Sequence, residues 1–171
     1  MRIIFVFVIV MGIISSCSQG SSSNSRKEKT LDQAIATAVE YASSRLKESK
    51  QSTGKDGIII LSANGFSYYL EPAKIKIIEI DEDSVKDAII PLNLFKGQSP
   101  VLKEHLVLLN KDGKLVIDTA IFNIVNILGV EDRIIIAEIS KVGIDAPGYG
   151  CSECIEIAKY KLSEGRLVRT E

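Results

Sequence analysis

The sequence predicts an α+β fold: one N-terminal amphipathic helix packed on a curved antiparallel β-sheet, built as a meander of hairpins. Three observations carry this expectation. An apolar stripe recurs at three- and four-residue spacing between Leu31 and Leu46. Short β-branched runs then fill the chain from Gly57 to the C-terminus. Asn64-Gly65 and Asp112-Gly113 lie between such runs, and both dipeptides favour the tight turns of hairpins. The strands suffice for about two four-stranded blades, and no blade repeat is visible, so a propeller is excluded by count.

The chain opens with Arg2, then an uncharged apolar run from Ile3 to Ile14, then Ser15, Ser16 and Cys17. A basic start, a short apolar core and small residues before a cut site describe a secretory signal peptide. The run is shorter than the roughly 20 residues a membrane-spanning helix needs. Ile14-Ser15-Ser16-Cys17 resembles the lipobox of bacterial lipoproteins. That resemblance concerns a processing class. It implies that residues 1–16 are removed, that the Cys17 thiol is lipidated, and that two acyl chains hold the protein on a membrane. Residues 18–25 are Ser-, Gly- and Asn-rich, and residues 17–29 read as the lipidated Cys with a flexible tether. Ser18 lacks the acidic side chain that favours inner-membrane retention in enteric lipoproteins, so the expected place is the outer membrane.

The remaining residues, 30–171, have the length of a single α+β domain with its own core. A formal net charge of −1 gives no reason to expect a nucleic-acid partner. Arg26-Lys27-Glu28-Lys29 is a short basic patch interrupted by Glu28, and reads as a solvated approach to the helix.

Thr30 is the expected N-cap of the helix, with Gln33 as its capping-box partner. Leu31, Ala34, Ile35, Ala38, Val39, Ala42 and Leu46 form its apolar face. Polar residues 47–51 end it. Ile58-Ile59-Ile60-Leu61 and Phe66-Ser67-Tyr68-Tyr69-Leu70 then pair about Asn64-Gly65. Alternation points Tyr68 and Tyr69 to opposite faces, one to the core and one outward. Residues 74–80 alternate with a slip between Ile77 and Ile78, which suggests a bulge. Residues 81–88 are acidic and polar, a helical turn capped by Asp81 or Asp83. Residues 91–100 read as a connection.

The second half continues as a meander. Leu106-Val107-Leu108-Leu109 and Lys114-Leu115-Val116-Ile117 flank Asp112-Gly113. Residues 120–128 fit either periodicity; their β-branched content favours a strand, with a turn at Gly129-Val130-Glu131-Asp132. Residues 134–142 are apolar on both faces at their start and should lie centrally in the sheet. Residues 155–162 return with a slip between Ile157 and Ala158, and Glu164-Gly165 turns into Leu167-Val168.

The candidate chemistry is sparse. With Cys17 lipidated, Cys151 and Cys154 remain as an even pair in an exported chain. A disulfide closing the loop at residues 143–154 is the favoured reading. Thiol exchange and metal binding are the alternatives, with Asp145 and His105 as further ligands for a metal. The strand-like Ile155-Glu156-Ile157 follows Cys154, where a redox pair would be activated by a helix N-terminus. His105, the single histidine, reads as a surface or capping residue at the start of a strand; Glu104 and Asp118 are its available acidic partners, and no Gly-x-Ser-x-Gly nucleophile motif is present. Asp81-Glu82-Asp83 lacks the spacing of a calcium loop. No cofactor is implied.

The sequence therefore supports a non-enzymatic, lipid-anchored binding or assembly module of the bacterial envelope, with the membrane as one partner and a protein or small molecule as another. One alternative is a periplasmic thiol-redox or metal-binding protein using Cys151 and Cys154. The other is a small-ligand-binding domain of cystatin-like or NTF2-like architecture, with an apolar pocket between helix and sheet.

Overall fold

The structure, a computed structural model, describes residues 21–81, 83–144, 146, 149, 151–163 and 166–170. Cys17, the apolar run before it, Asp145 and the turn at Glu164-Gly165 lie outside the described residues. Among the described residues there are one helix, α1 (Ser21–Leu46), and eleven strands. The strands are β1 (Lys50–Thr53), β2 (Ile59–Ala63), β3 (Phe66–Leu70), β4 (Lys76–Ile78), β5 (Asp87–Lys96), β6 (Ser99–Lys111), β7 (Lys114–Phe122), β8 (Ile124–Glu131), β9 (Ile134–Ser140), β10 (Ile155–Ser163) and β11 (Arg166–Arg169). All pairings are antiparallel. The fold class is α+β, with a helix preceding a strand meander.

The meander forms two sheets where the sequence suggested one. The first has the order β1-β2-β3-β5-β6-β7, with β4 on β5 beyond the end of β3; the second has the order β11-β10-β9-β8. Helix α1 covers one face of the first sheet and the second sheet covers the other. The layers are therefore helix, sheet, sheet, and two cores follow. Ala34, Ala38 and Ala42 meet Leu61, Tyr68, Leu70, Ile90, Leu92, Leu106 and Leu108 on the helix side. Ile89, Val107 and Leu109 meet Ile124, Ile135, Ala137 and Ala158 on the other. Strict alternation along β5 and β6 divides their side chains between the two cores. As predicted, β9 lies centrally, between β8 and β10.

Helix α1 begins at Ser21, nine residues before the expected cap, so residues 21–29 are helix and not tether. Thr30 is buried inside the helix, and its hydroxyl donates back to the Arg26 carbonyl at 3.0 Å. Gln33 completes no capping box. Its amide donates to the Gly113 carbonyl at 3.3 Å and ties the helix to the β6–β7 turn. Three alanines at four-residue spacing let the helix backbone approach the sheet closely. Lys47 and Glu48, both at positive φ, end it.

Turn chemistry sets the hairpins. Asn64-Gly65 and Asp112-Gly113 have positive φ at both positions, as predicted. The β8–β9 turn falls at Asp132-Arg133, also at positive φ, later than the sequence suggested. Asn123, at φ 61°, separates β7 from β8, so residues 120–128 are two strands meeting at a corner. Its N–H donates to Lys103 in the first sheet, and its carbonyl accepts from Ser140 in the second.

Several local expectations need correction. Residues 91–100 are not a connection: they belong to β5 and the start of β6, which pair across Gly97. Residues 81 and 83–85 form no helical turn. Asp81 and Asp83 instead accept from the N–H groups two residues on, a bend that leaves Asp83 exposed. The predicted slips at Ile77/Ile78 and Ile157/Ala158 produce no register shift. The shifts fall at Val101, Asp118, Val125 and Leu128, each an extra residue opposite its partner strand. Tyr68 is core, whereas Tyr69 is half-buried with its ring edge on Phe95, 5.0 Å between centroids.

Asp87 joins three segments beneath the second core. Its buried carboxylate accepts from the N–H of Ile80 at 2.7 Å and of Asn110 at 2.9 Å. Removing it in Asp87→Ala leaves two buried donors unpaired, a loss of roughly 2–4 kcal/mol that urea unfolding should read. Overfilling the alanine seam with Ala38→Leu should cost about 1–3 kcal/mol on the same measurement, whereas Glu40→Ala on the exposed face should change little.

Candidate functional site

A cleft of about 680 Å³ opens between the two sheets, on the face of the first sheet that turns away from the helix. Its origin is local. The ladder along one edge of β5 runs from β3 at Leu70↔Leu92 to β4 at Lys76↔Ile89. Ile90 and Pro91 have no partner on that edge. A single 3-10 turn, Pro72–Lys74, carries the chain across the gap. On the opposite wall, the extra residues Val125 and Leu128 bend β8. The two bent edges do not close on each other, and the space between them is the cleft.

Its walls are mostly apolar: Ile75, Ile89, Pro91, Phe95, Val125 and Ile127. Its polar groups are Lys74, Lys76, Lys103, His105, Asn93 and Asn126, with Tyr149 at the rim. Lys103, His105 and Val107 alternate on one face of β6, opposite Asn93, Pro91 and Ile89 of β5. The Lys103 ammonium donates to the Val125 carbonyl at 2.9 Å, and the Lys76 ammonium to the Ile127 carbonyl at 2.7 Å. These bonds occupy the carbonyls along the open side of β8. Among the described residues neither lysine has a carboxylate partner, and no carboxylate lines the cleft.

His105 is 5% exposed, and its Nδ1 is buried without a hydrogen-bond partner. Burial, then the charges of Lys103 and Lys76, push its pKa down to about 3. It is therefore a neutral imidazole over ordinary pH. Burial, then the neighbouring Lys74, lowers the pKa of Lys103, opposed by Glu71. The Lys76 and Lys103 ammonium groups share a half-enclosed, mostly apolar space with no carboxylate among its described lining, while Glu71, whose charge reaches Lys103, is engaged by Lys74. An anion placed between them satisfies donors that now bond only neutral carbonyls.

The sequence assigned His105 to a surface or capping place; the structure places it in the interior of β6. It meets neither acidic partner. Glu104 points to the helix side, where Tyr41 donates to its Oε2 at 3.0 Å and Arg45 donates to the Tyr41 hydroxyl at 3.0 Å. Tyr68 lies in the same group, its pKa raised by burial first and then by Glu104. Asp118 is the extra residue of β7 and accepts from the Leu167 N–H at 3.3 Å. Cys151 and Cys154 form a disulfide. A single 3-10 turn spans Ser152–Cys154 and strand β10 follows at once, so no helix starts at the pair. Asp145 lies outside the described residues, and no group of three His, Cys, Asp or Glu among the described ones can hold a metal.

The cleft-lining lysines were missed. For Lys103 the signal is polar residues, itself and His105, at alternate positions of a strand whose neighbours on that face, Val107 and Leu109, are core. Along the alanine seam the helix packs closely on the first sheet, and the inter-sheet cleft lies on the other face of that sheet. No helix among the described residues is long and apolar enough to cross a membrane. No protein-family model matches the chain, and no curated protein or solved structure matches it.

The buried neutral His105 sets a pH dependence. Its folded pKa lies below its unfolded value of about 6.5, so its contribution is complete above that value and declines as pH falls towards 3. Between pH 7 and pH 5 wild type should lose about 2 kcal/mol more than His105→Asn does over the same interval, read by chemical unfolding at each pH.

Proposed function

We propose that this chain is a non-enzymatic binding protein of the bacterial envelope, held on a membrane through lipid on Cys17, and that its inter-sheet cleft takes an anionic ligand with an apolar body. The observation that carries the ligand reading is the pair Lys76 and Lys103, set in an apolar cleft without a facing carboxylate among the described residues. The volume suits a medium-sized organic molecule. The apolar walls supply affinity and the two ammonium groups orient the charged end. Each lysine exchanges a carbonyl for the ligand's anion, and the exchange strengthens the bond it makes. The placement in the envelope rests on Arg2, the apolar run and the Ile14-Ser15-Ser16-Cys17 segment.

A calorimetric comparison of decanoate with decanol tests the cleft. The carboxylate should bind at least tenfold tighter, or about 1.4 kcal/mol. Lys103→Met keeps the apolar stem and removes the charge, and should abolish most of that preference. Equal affinity for both compounds, or saturable binding of neither, overturns the ligand reading. The mass of the mature chain tests the anchor independently.

A further inference from the structure

A second groove, about 660 Å³, lies at the opposite end of α1 from Leu46, between the first turns of the helix, the β4–β5 loop and the β6–β7 turn. It is lined by Arg26, Lys27, Lys29 and Lys86, with Val85 and Asn110 beside them. No carboxylate is among its described lining residues. Arg26, Lys27 and Lys29 are exposed and enter no ion pair among the described residues, while Lys86 stands 3.9 Å from Glu79. Asn110 is 8% exposed, and its Oδ1 is buried without a partner although its amide nitrogen bonds the Lys86 carbonyl. Val85, 41% exposed, adds an apolar side chain to a basic rim.

The early start of the helix fixes what this groove faces. Only Ser18, Gln19 and Gly20 separate Cys17 from the first helical residue. That stretch spans at most about 14 Å when fully extended. A stretch this short keeps the helix start close to the anchor. We propose that the groove formed by Arg26, Lys27, Lys29 and Lys86 binds the headgroup phosphates of anionic phospholipid, so that the helix start docks on the membrane carrying the anchor. The proposal rests on the lipid-anchor reading. Basic side chains within a Debye length of an anionic leaflet are attracted to it, and the attraction is lost in salt. Docking at this end leaves the inter-sheet cleft, on the far face of the first sheet, open to solvent.

The chain contains no tryptophan, so a single introduced indole reports its own surroundings. Val85→Trp marks the groove. Val101→Trp marks the far end of β6, ten residues from Lys111 and thus roughly 33 Å away along the strand. Both acylated proteins are extracted from membranes and reconstituted in vesicles carrying a headgroup spin label. One set is phosphatidylcholine alone and the other is rich in phosphatidylglycerol. In the phosphatidylglycerol vesicles Val85→Trp should be quenched several-fold more than Val101→Trp. High salt, or Lys27→Gln, Lys29→Gln and Lys86→Gln together, should return it to the phosphatidylcholine level. Equal quenching of the two indoles, or quenching unaffected by salt and by the lysine changes, overturns the docking. Mass spectrometry of the same samples separates the premises: Cys17 without acyl chains overturns anchor and docking together, whereas acylated Cys17 with equal quenching overturns the docking alone.

Discussion

Burial of β5 and β6 on both faces is the constraint from which the rest of the architecture follows. A strand with one wet face can slip by two residues at modest cost. A strand with two different dry faces cannot, because each side chain is shaped for its own layer. Ile90, Leu92, Leu106 and Leu108 fit against alanines of a helix; Ile89, Val107 and Leu109 fit against isoleucines of a second sheet. The polar residues of β6 obey the same division. Glu104 belongs to the tyrosine–arginine group under the helix, and His105 to the cleft. Adjacent in sequence, they occupy separate environments with a sheet between them.

The cleft exists because two strand edges in contact with this pair are broken. A continuous β3–β4 strand would have run along β5 and covered Pro91. A straight β8 would have brought its carbonyls against the first sheet. Pro72 and Pro91 act on the first edge and the two extra residues of β8 on the second. The lysines then complete what the broken ladders leave open, by donating to carbonyls that no strand reaches. Lysine suits this place, since its long apolar stem packs along the wall while its ammonium stays movable. The same two bonds discourage another chain from adding to β8, because the acceptors are already engaged.

Short-range chemistry was the part legible in the sequence. Asn64-Gly65 and Asp112-Gly113 needed only their own backbone preferences to be read. The helix from Leu31 onward was legible because its alanines recur on the one face that packs on the sheet. Its first turns were not, because residues 25–29 are exposed all round and carry no stripe. They are helical by propagation from the turns that pack. Thr30 illustrates the ambiguity: one hydroxyl can cap a helix start or bond back within the helix, and composition does not distinguish them. The division into two sheets was hidden because Asn123 looks like any strand residue until its left-handed conformation is known. The cleft was hidden for a related reason: Lys76 and Lys103 are far apart in sequence and meet only through the topology.

Asn123 also has a consequence for biogenesis. The helix and the whole first sheet precede it, and the second sheet is a local meander entirely downstream. A chain made from its N-terminus therefore completes one half of the sandwich while Ile89, Val107 and Leu109 still face water. That intermediate offers a bare aliphatic surface to its neighbours until some fifty further residues have emerged. A chaperone that shields nascent chains has its greatest value in that interval, and crowding of unfinished copies is most hazardous then.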